Sequence, residues 1–247
     1  MFVAAALPGL PEIRAGDDLA ALLADAAGVF ADGDVLVVAH KIVSKAEGRT
    51  IALADVTPGE RAIALAAEHG RDPRLVEVIL AETDEIVRSR PGVLICRTRH
   101  GLVCANAGVD ASNAGGSDEL VLLPADPDAS ARALRARLRD LTAVAPGIVI
   151  ADSFGRAWRV GQCDVAIGLA GLAAVDDWRG RADGAGRRLE ATIIAIADGA
   201  AAAADLTRAK DSREPAVVVR GLERHVTAGD GPGAAALVRA RHEDLFL

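Results

Sequence analysis

Two strand-like apolar runs in this chain each end in an aspartate followed closely by a hydroxyl or amide side chain. They are Val109-Asp110-Ala111-Ser112-Asn113 and Ile150-Ala151-Asp152-Ser153-Phe154-Gly155-Arg156. Carboxylates delivered by two separate strand ends suit hard divalent cations, which take oxygen ligands and keep positions for water and phosphate. Asp-Ser pairs at strand ends are also ordinary turn and cap chemistry. The pattern alone leaves both readings open.

The rest of the chain alternates helical and strand periods. Leu19, Leu22, Leu23, Ala26, Ala27 and Phe30 fall at helical spacing, so a helix is expected over Asp17 to Phe30. Val35 to Ala39 reads as a buried strand. Thr57-Pro58-Gly59-Glu60 reads as a helix start with Thr57 as cap, and Asp72-Pro73 precedes a second helix over Arg74 to Ala81. Val93 to Cys96 and Leu102 to Ala105 flank Arg97-Thr98-Arg99-His100-Gly101, a hairpin signal. A helix follows Asp126-Pro127-Asp128 through Leu141, and a strand over Ile148 to Ile150 ends at Asp152. Leu189 to Ala197 is expected as strand, Ala200 to Lys210 as helix and Ala216 to Arg220 as strand, with Arg179 to Arg188 an exposed loop.

Hairpins mixed with βα units predict an α+β fold of mixed sheets and packed helices. Neither a G-x-x-x-x-G-K-[ST] loop nor a G-x-G-x-x-G turn is present, so the fold is not expected to be P-loop or Rossmann. A single unit over residues 1–247 is expected; two intertwined lobes remain the alternative, because no linker marks a boundary.

At 247 residues, roughly 70% of the extended chain's surface can leave water, enough for one large core or two small ones. The net charge of −7, with no basic stripe, argues against nucleic acid as the main partner. No apolar run reaches about 18 residues and no basic leader is visible, so no membrane partner and a cytoplasmic location are expected. Cys96, Cys104 and Cys163 lack metal-type spacing and read as reduced thiols; Cys96 and Cys104, equidistant from His100, are expected to face each other.

Candidate chemistry gathers after the strands. Lys41 and Lys45 would share one face of a helical turn, where paired cations can bind phosphate or form a solvated surface pair. Gly155 to Gln162 carries Arg156, Arg159 and Trp158; the arginines could grip a carboxylate or phosphate and the tryptophan could exclude water. A capped turn with Trp158 as core anchor is the alternative. The five histidines are scattered, and Ser44, Ser112 and Ser153 have no evident His/Asp partner, which weighs against a serine hydrolase.

In combination these segments are recognisable. Gly9-Leu10-Pro11-Glu12-Ile13 with Gly16-Asp17-Asp18-Leu19, Asp32-Gly33-Asp34, and Lys41-Ile42-Val43-Ser44-Lys45-Ala46-Glu47-Gly48-Arg49 come first. Ala107 to Asn113, Leu122-Leu123-Pro124 with Asp126 to Ser130, Asp152 to Gln162 and Val217 to Gly221 follow in order. The series resembles the coenzyme F-420:L-glutamate ligase family across nearly the full length.

That resemblance implies a GTP-dependent ligase joining the amino group of L-glutamate to the lactyl carboxylate of the deazaflavin precursor, coenzyme F-420-0. An acyl phosphate would be the intermediate, and further γ-glutamyl additions occur in some members. It implies a family-specific α+β fold, a homodimer, two divalent ions per site (Mn2+ or Mg2+) and K+ stimulation. Carried over by motif, Leu10, Pro11, Glu12, Ile13, His40, Lys45 and Asn113 would contact GTP. Asp110 and Asp152 would hold one metal and Ser153 would help hold the second; Lys45 and Asp152 are the expected catalytic residues. Selection of glutamate has only Arg156, Arg159 and Arg88 as candidates, by charge.

Three positions depart from the family pattern. His40 stands where many relatives carry a hydroxyl or amide, Gly199 follows Asp198 where a Glu is common, and Lys210 stands where an acidic or amide ligand is expected. The chain stops at Leu247, whereas some bacterial relatives continue into a nitroreductase-like domain, so a single-activity ligase is expected. A same-fold ligase for another amino acid or acceptor, and a non-catalytic nucleotide-binding module, are the competing readings.

Overall fold

A computed structural model describes residues 1–111 and 119–244. In chain order its elements are β1 (Val3–Ala6), α1 (Leu19–Ala27), β2 (Val35–Ala39), α2 (His40–Ala46), β3 (Thr50–Ala52), α3 (Glu60–His69), α4 (Pro73–Ala81), β4 (Thr83–Arg90), β5 (Val93–Thr98), β6 (Val103–Ala105), β7 (Glu119–Val121), α5 (Pro127–Thr142), β8 (Gly147–Arg156), β9 (Arg159–Ala170), β10 (Val175–Asp177), β11 (Ile193–Ala195), α6 (Ile196–Thr207) and β12 (Ala216–Arg220). The α+β class expected from the sequence is the one observed.

A five-stranded sheet in the order β1-β12-β2-β8-β9 organises the chain. Only the β2–β8 pair is parallel, running from Val35 opposite Gly147 to Ala39 opposite Ala151; the other pairs in this sheet are antiparallel. Side chains on a strand alternate between faces, and the buried runs sort accordingly. Leu36, Val38, Ile148, Ile150, Ala216 and Val218 share one core with Leu19, Ala20 and Leu23 of α1 and Ala131, Leu134 and Leu138 of α5. Val35, Val37, Val149, Ala151, Val217 and Val219 share the other with Ala197, Ala200, Ala201 and Ala204 of α6. The sheet is therefore apolar on both faces, which is why its strands read as continuous rather than alternating hydrophobic runs. Leu23 is fully buried, and its truncation to Ala would cost about 2–5 kcal/mol.

A smaller core lies under α4 and the antiparallel sheet β4-β5-β6, with Val78, Ile79, Leu94, Cys96, Ala107, Val109, Leu120 and Leu122. In that sheet Cys96 pairs in register with Cys104, as the hairpin symmetry about His100 predicts; both are free thiols.

Several helix starts follow the expected chemistry. Asp72 accepts from the Arg74 amide with Pro73 in the first turn, and Asp126 accepts from the Ala129 amide with Pro127 in the first turn. Elsewhere the structure corrects the sequence reading. The cap of α3 is Gly59, with no side-chain cap bond, so Thr57 stands outside the helix; Gly59 N–H instead donates to Glu77 at 2.8 Å. Only Ile193–Ala195 of the expected strand is strand, and α6 starts at Ile196. The spacing of Ala197, Ala200, Ala201 and Ala204 is a helical stripe of small residues, and these pack closely onto the sheet. The Arg179 to Arg188 segment is the expected loop, between β10 and β11.

The strand before Asp152 does not end there. β8 runs on to Arg156 and forms a long hairpin with β9. Trp158 sits at its tip with φ 63° and is 86% exposed, so it neither anchors a core nor shields a cavity within this chain.

Candidate active site

The parallel register of β2 and β8 sets the site. Because Ala39 stands beside Ala151, the next residues, His40 and Asp152, also come side by side. His40 opens α2 and is buried; its Nε2 is 3.3 Å from Asp152 Oδ1. Its Nδ1 is buried without a partner among the described residues. Asp152 Oδ1 also accepts the Ser153 N–H at 2.8 Å.

Lys41, the next residue, pairs with the Asp110 carboxylate. Asp110 is fixed from behind, since its N–H and C=O both exchange 2.9 Å hydrogen bonds with Val121. The two aspartates picked out in the sequence are thus tied to consecutive residues of α2. Their side chains keep 26% (Asp110) and 18% (Asp152) exposure, so both carboxylates stay open to solvent.

One turn further along α2, Lys45 pairs with Glu12. Glu12 belongs to the Leu10–Ile13 segment, and that segment forms one wall of a cavity of about 600 Å3. His40, Lys41, Lys45, Asp152 and Ser153 also line it. The size lies within the roughly 300–1,000 Å3 usual for small-molecule sites. Of the residues singled out in the sequence, Leu10, Pro11, Glu12, Ile13, His40, Lys45, Asp152 and Ser153 meet in this one space, and Asp110 reaches it through Lys41. Ser112 and Asn113 lie outside the described residues.

Alternation along β8 turns Ser153 to the opposite face from Asp152, toward the segment that leaves α6. There the structure adds residues that sequence reasoning missed. Asp164, opposite Ser153 on β9, is 1% exposed. It accepts the Ser153 hydroxyl at 2.5 Å on Oδ1 and pairs with Arg208 through Oδ2. Lys210 Nζ donates to Ser153 Oγ at 2.9 Å and to Asp205 Oδ1 at 3.0 Å. Hairpin symmetry does not reveal the Ser153–Asp164 pair, because the register shifts between Gly155 and Arg156. Among the described residues lining the cavity the arginines are Arg208 and Arg213. Arg156 folds back onto the Val160 and Gly161 carbonyls, and the Arg88 guanidinium caps the Val87 carbonyl.

Asp110 and Asp152 are the ligand type hard cations take and suit one of the two implied divalent ions, which would have to displace the Lys41 ammonium from Asp110. Among the described residues no three His, Cys, Asp or Glu side chains form a ready-made cage. The second position does not fit as built, since both Asp164 oxygens are engaged and an ammonium already rests on Ser153 Oγ. The charge of Asp152 is felt next door: the Cys104 thiol is pushed up to about 12, first by burial and then by the negative charges of Asp152 and Cys96.

Comparison with known proteins places this arrangement in a family. Residues 9–221 match the family model described as F420-0:Gamma-glutamyl ligase. The chain is 47% identical to the coenzyme F420:L-glutamate ligase of Methanopyrus kandleri, over 95% of this chain and 93% of that protein. It is 43% identical to the protein of that name from Methanothermobacter thermautotrophicus, over 96% of each, and 43% identical to the one from Archaeoglobus fulgidus, over 96% of this chain and 93% of that one. The matched span contains His40, Lys45, Asp110 and Asp152 together with the Leu10–Ile13 wall, and the chain belongs to the F420-0:gamma-glutamyl ligase family.

Proposed function

We propose that this protein is a GTP-dependent ligase that forms an amide between the amino group of L-glutamate and the lactyl carboxylate of coenzyme F-420-0. The observation that carries the reading is the single cavity in which the Leu10–Ile13 wall, His40, Lys45 and Asp152 meet. Relatives of 42–47% identity bear the coenzyme F420:L-glutamate ligase name, which supports the acceptor and the amino acid.

A carboxylate does not condense with an amine in water, because oxide is a poor leaving group. In the proposed sequence a lactyl carboxylate oxygen attacks the γ-phosphorus of GTP, and GDP leaves. The resulting acyl phosphate is attacked at its carbonyl carbon by the glutamate amine, which loses a proton to solvent as inorganic phosphate departs. Phosphoryl transfer depends mainly on positioning and on neutralising charge. Lys45 would meet the phosphates as a point charge once they displace Glu12. His40 Nε2, 3.3 Å from Asp152 Oδ1, would help hold that carboxylate in one orientation. A Mn2+ or Mg2+ ion held by Asp110 and Asp152 would supply further positive charge at the phosphates. A homodimer, K+ stimulation and further γ-glutamyl additions belong to the same reading.

The test is incubation of the purified protein with coenzyme F-420-0, L-glutamate, GTP, MnCl2 and KCl. Glutamylated product with one GDP and one phosphate released per amide is the expected result. GTP bound without turnover would leave a nucleotide-binding module instead, and a mass shift from another amino acid would reassign the donor.

A further inference from the structure

The segment that leaves α6 carries a cation into the place where a second metal ion is expected. Lys210 Nζ lies 2.9 Å from Ser153 Oγ, 3.0 Å from Asp205 Oδ1 and 4.0 Å from Asp164 Oδ1. Ser153 donates its hydroxyl proton to Asp164 Oδ1 at 2.5 Å, and Arg208 occupies the other Asp164 oxygen. Two carboxylates are thus matched by two cationic side chains around one hydroxyl. A divalent ion added to this group would leave it strongly positive and would stand against an ammonium a few ångströms away. The lysine side chain is itself 71% exposed and lines the cavity beside Asp152 and Ser153.

An ammonium is a compact charge with three N–H donors and can meet phosphate oxygens directly. It needs no vacant ligand sphere, and it is held here by Ser153 and Asp205 at ordinary hydrogen-bond distances. It delivers one positive charge where a divalent ion would bring two.

We propose that the Lys210 ammonium takes the place of the second divalent ion, so that each chain with bound nucleotide holds one divalent ion, at Asp110 and Asp152, and a resident lysine at Ser153. This rests on the reading that the cavity binds GTP with metal at those aspartates. Ser153 then acts as a positioning residue for Lys210 rather than as a metal ligand. The replacement also explains how an acidic or amide side chain can be missing from position 210 while the hydroxyl at 153 and the carboxylate at 164 are kept in contact.

Counting Mn2+ decides it. The full chain is saturated with a non-hydrolysable GTP analogue, and bound Mn2+ is measured by equilibrium dialysis with elemental analysis. Electron paramagnetic resonance of the same samples reports coupling between neighbouring ions. The expected result is about one Mn2+ per chain with no coupled-pair signal in the unaltered protein, and about two with a coupled signal in Lys210→Glu. Lys210→Gln supplies a neutral oxygen ligand and is expected to move the count in the same direction. Because the side chain is largely exposed, both variants should keep the parent melting temperature. Two ions in the unaltered protein would overturn the proposal and leave the Asp110–Asp152 site standing. One ion in the parent and still one in both variants would overturn the role given to Lys210. Absence of bound Mn2+ in the unaltered protein would overturn the metal reading of Asp110 and Asp152 itself, and the proposal with it; Asp152→Asn, expected to lose the first ion, serves as the reference for that outcome.

Discussion

His40 Nε2 stands 3.3 Å from Asp152 Oδ1 because the parallel pairing of β2 and β8 brings Ala39 beside Ala151, and the next residue of each run follows in step. The His40 contact and the Ser153 N–H both fall on Oδ1 of Asp152, whose side chain lines the cavity.

Asp152→Asn should therefore remove function and spare the fold. Its amide oxygen can still accept the Ser153 N–H, but the negative charge is gone. Losing about 3 kcal/mol of transition-state stabilisation corresponds to a roughly hundredfold slower step. Metal-dependent GTP turnover is expected to fall by about that factor or more, with circular dichroism and melting temperature near those of the parent. Turnover within a few-fold of the parent would count heavily against this site.

Glu12 and Lys45 make the opposite kind of prediction. Their ion pair competes with any anion that Lys45 is to meet, and the Glu12 side chain is 73% exposed. Exposed pairs are worth about 0–1 kcal/mol, so Glu12→Gln should tighten GTP binding by about two- to fivefold. Isothermal titration with a non-hydrolysable analogue measures this. Weaker binding would mean that the negative charge of Glu12 is itself needed at the nucleotide and that freeing Lys45 gains nothing.

Much of this site could be read from the sequence because its parts sit on consecutive apolar strands whose ends are fixed by register. The Ile148–Ile150 run, the Val35–Ala39 run and the polar residues that follow them, His40 after the Val35–Ala39 run and Asp152 after the Ile148–Ile150 run, are local signals. What was not legible lies where the chain departs from simple periodicity. The continuation of β8 through Asp152 and Ser153 to Arg156 was hidden by glycine and polar residues that look like a turn. Asp164 became a partner of Ser153 through a register shift that no spacing argument predicts. Trp158, an obvious core candidate by type, is carried to an exposed hairpin tip because the strands outrun the sheet they belong to. The start of α6 is masked because Ile193, Ile194 and Ile196 give the window strand character, while the helix-favouring Ala197, Ala200, Ala201 and Ala204 show their i, i+3, i+4, i+7 spacing only further along.

Asp128, which does not line the cavity, holds three backbone amides. Its Oδ1 accepts Leu169 N–H at 2.8 Å and Ala234 N–H at 2.7 Å, and Oδ2 accepts Ala235 N–H at 3.3 Å. The carboxylate thereby ties the first turn of α5 to β9 and to the segment after Gly233. Gly233 is at φ +84°, and a Cβ there would lie 2.2 Å from Asp128 Oδ2, so the close approach requires glycine. Hydrogen bonds to a charged group are each worth about 1.5–3 kcal/mol and do not simply add. Asp128→Ala is expected to cost about 3 kcal/mol, a fall in melting temperature of roughly 6–12 °C at this chain length. Calorimetry reads it directly; a change below about 2 °C would show that water replaces the carboxylate at little cost.

The alkaline limit of stability should carry the signature of Cys104. Burial first, and then the negative charges of Asp152 and Cys96, push its thiol from an ordinary 9.0 up to about 12. The folded protein therefore keeps this thiol neutral at pH values where the unfolded chain has already released the proton. Below pH 9 the two states bind the same proton and nothing changes. Between about pH 9 and 12 the unfolded state holds fewer protons, so stability falls as pH rises, at up to about 1.4 kcal/mol per pH unit from this group. Urea unfolding of the parent and of Cys104→Ala between pH 8 and 10.5 should show two curves that converge with rising pH, because the alanine variant lacks this loss. The same environment predicts slow alkylation: iodoacetamide at pH 8 should modify the partly exposed Cys163 well before Cys104. Parallel pH dependence in the two proteins, together with rapid labelling at Cys104, would mean that the β5–β6 hairpin opens readily and does not keep the thiol beside Asp152 out of water.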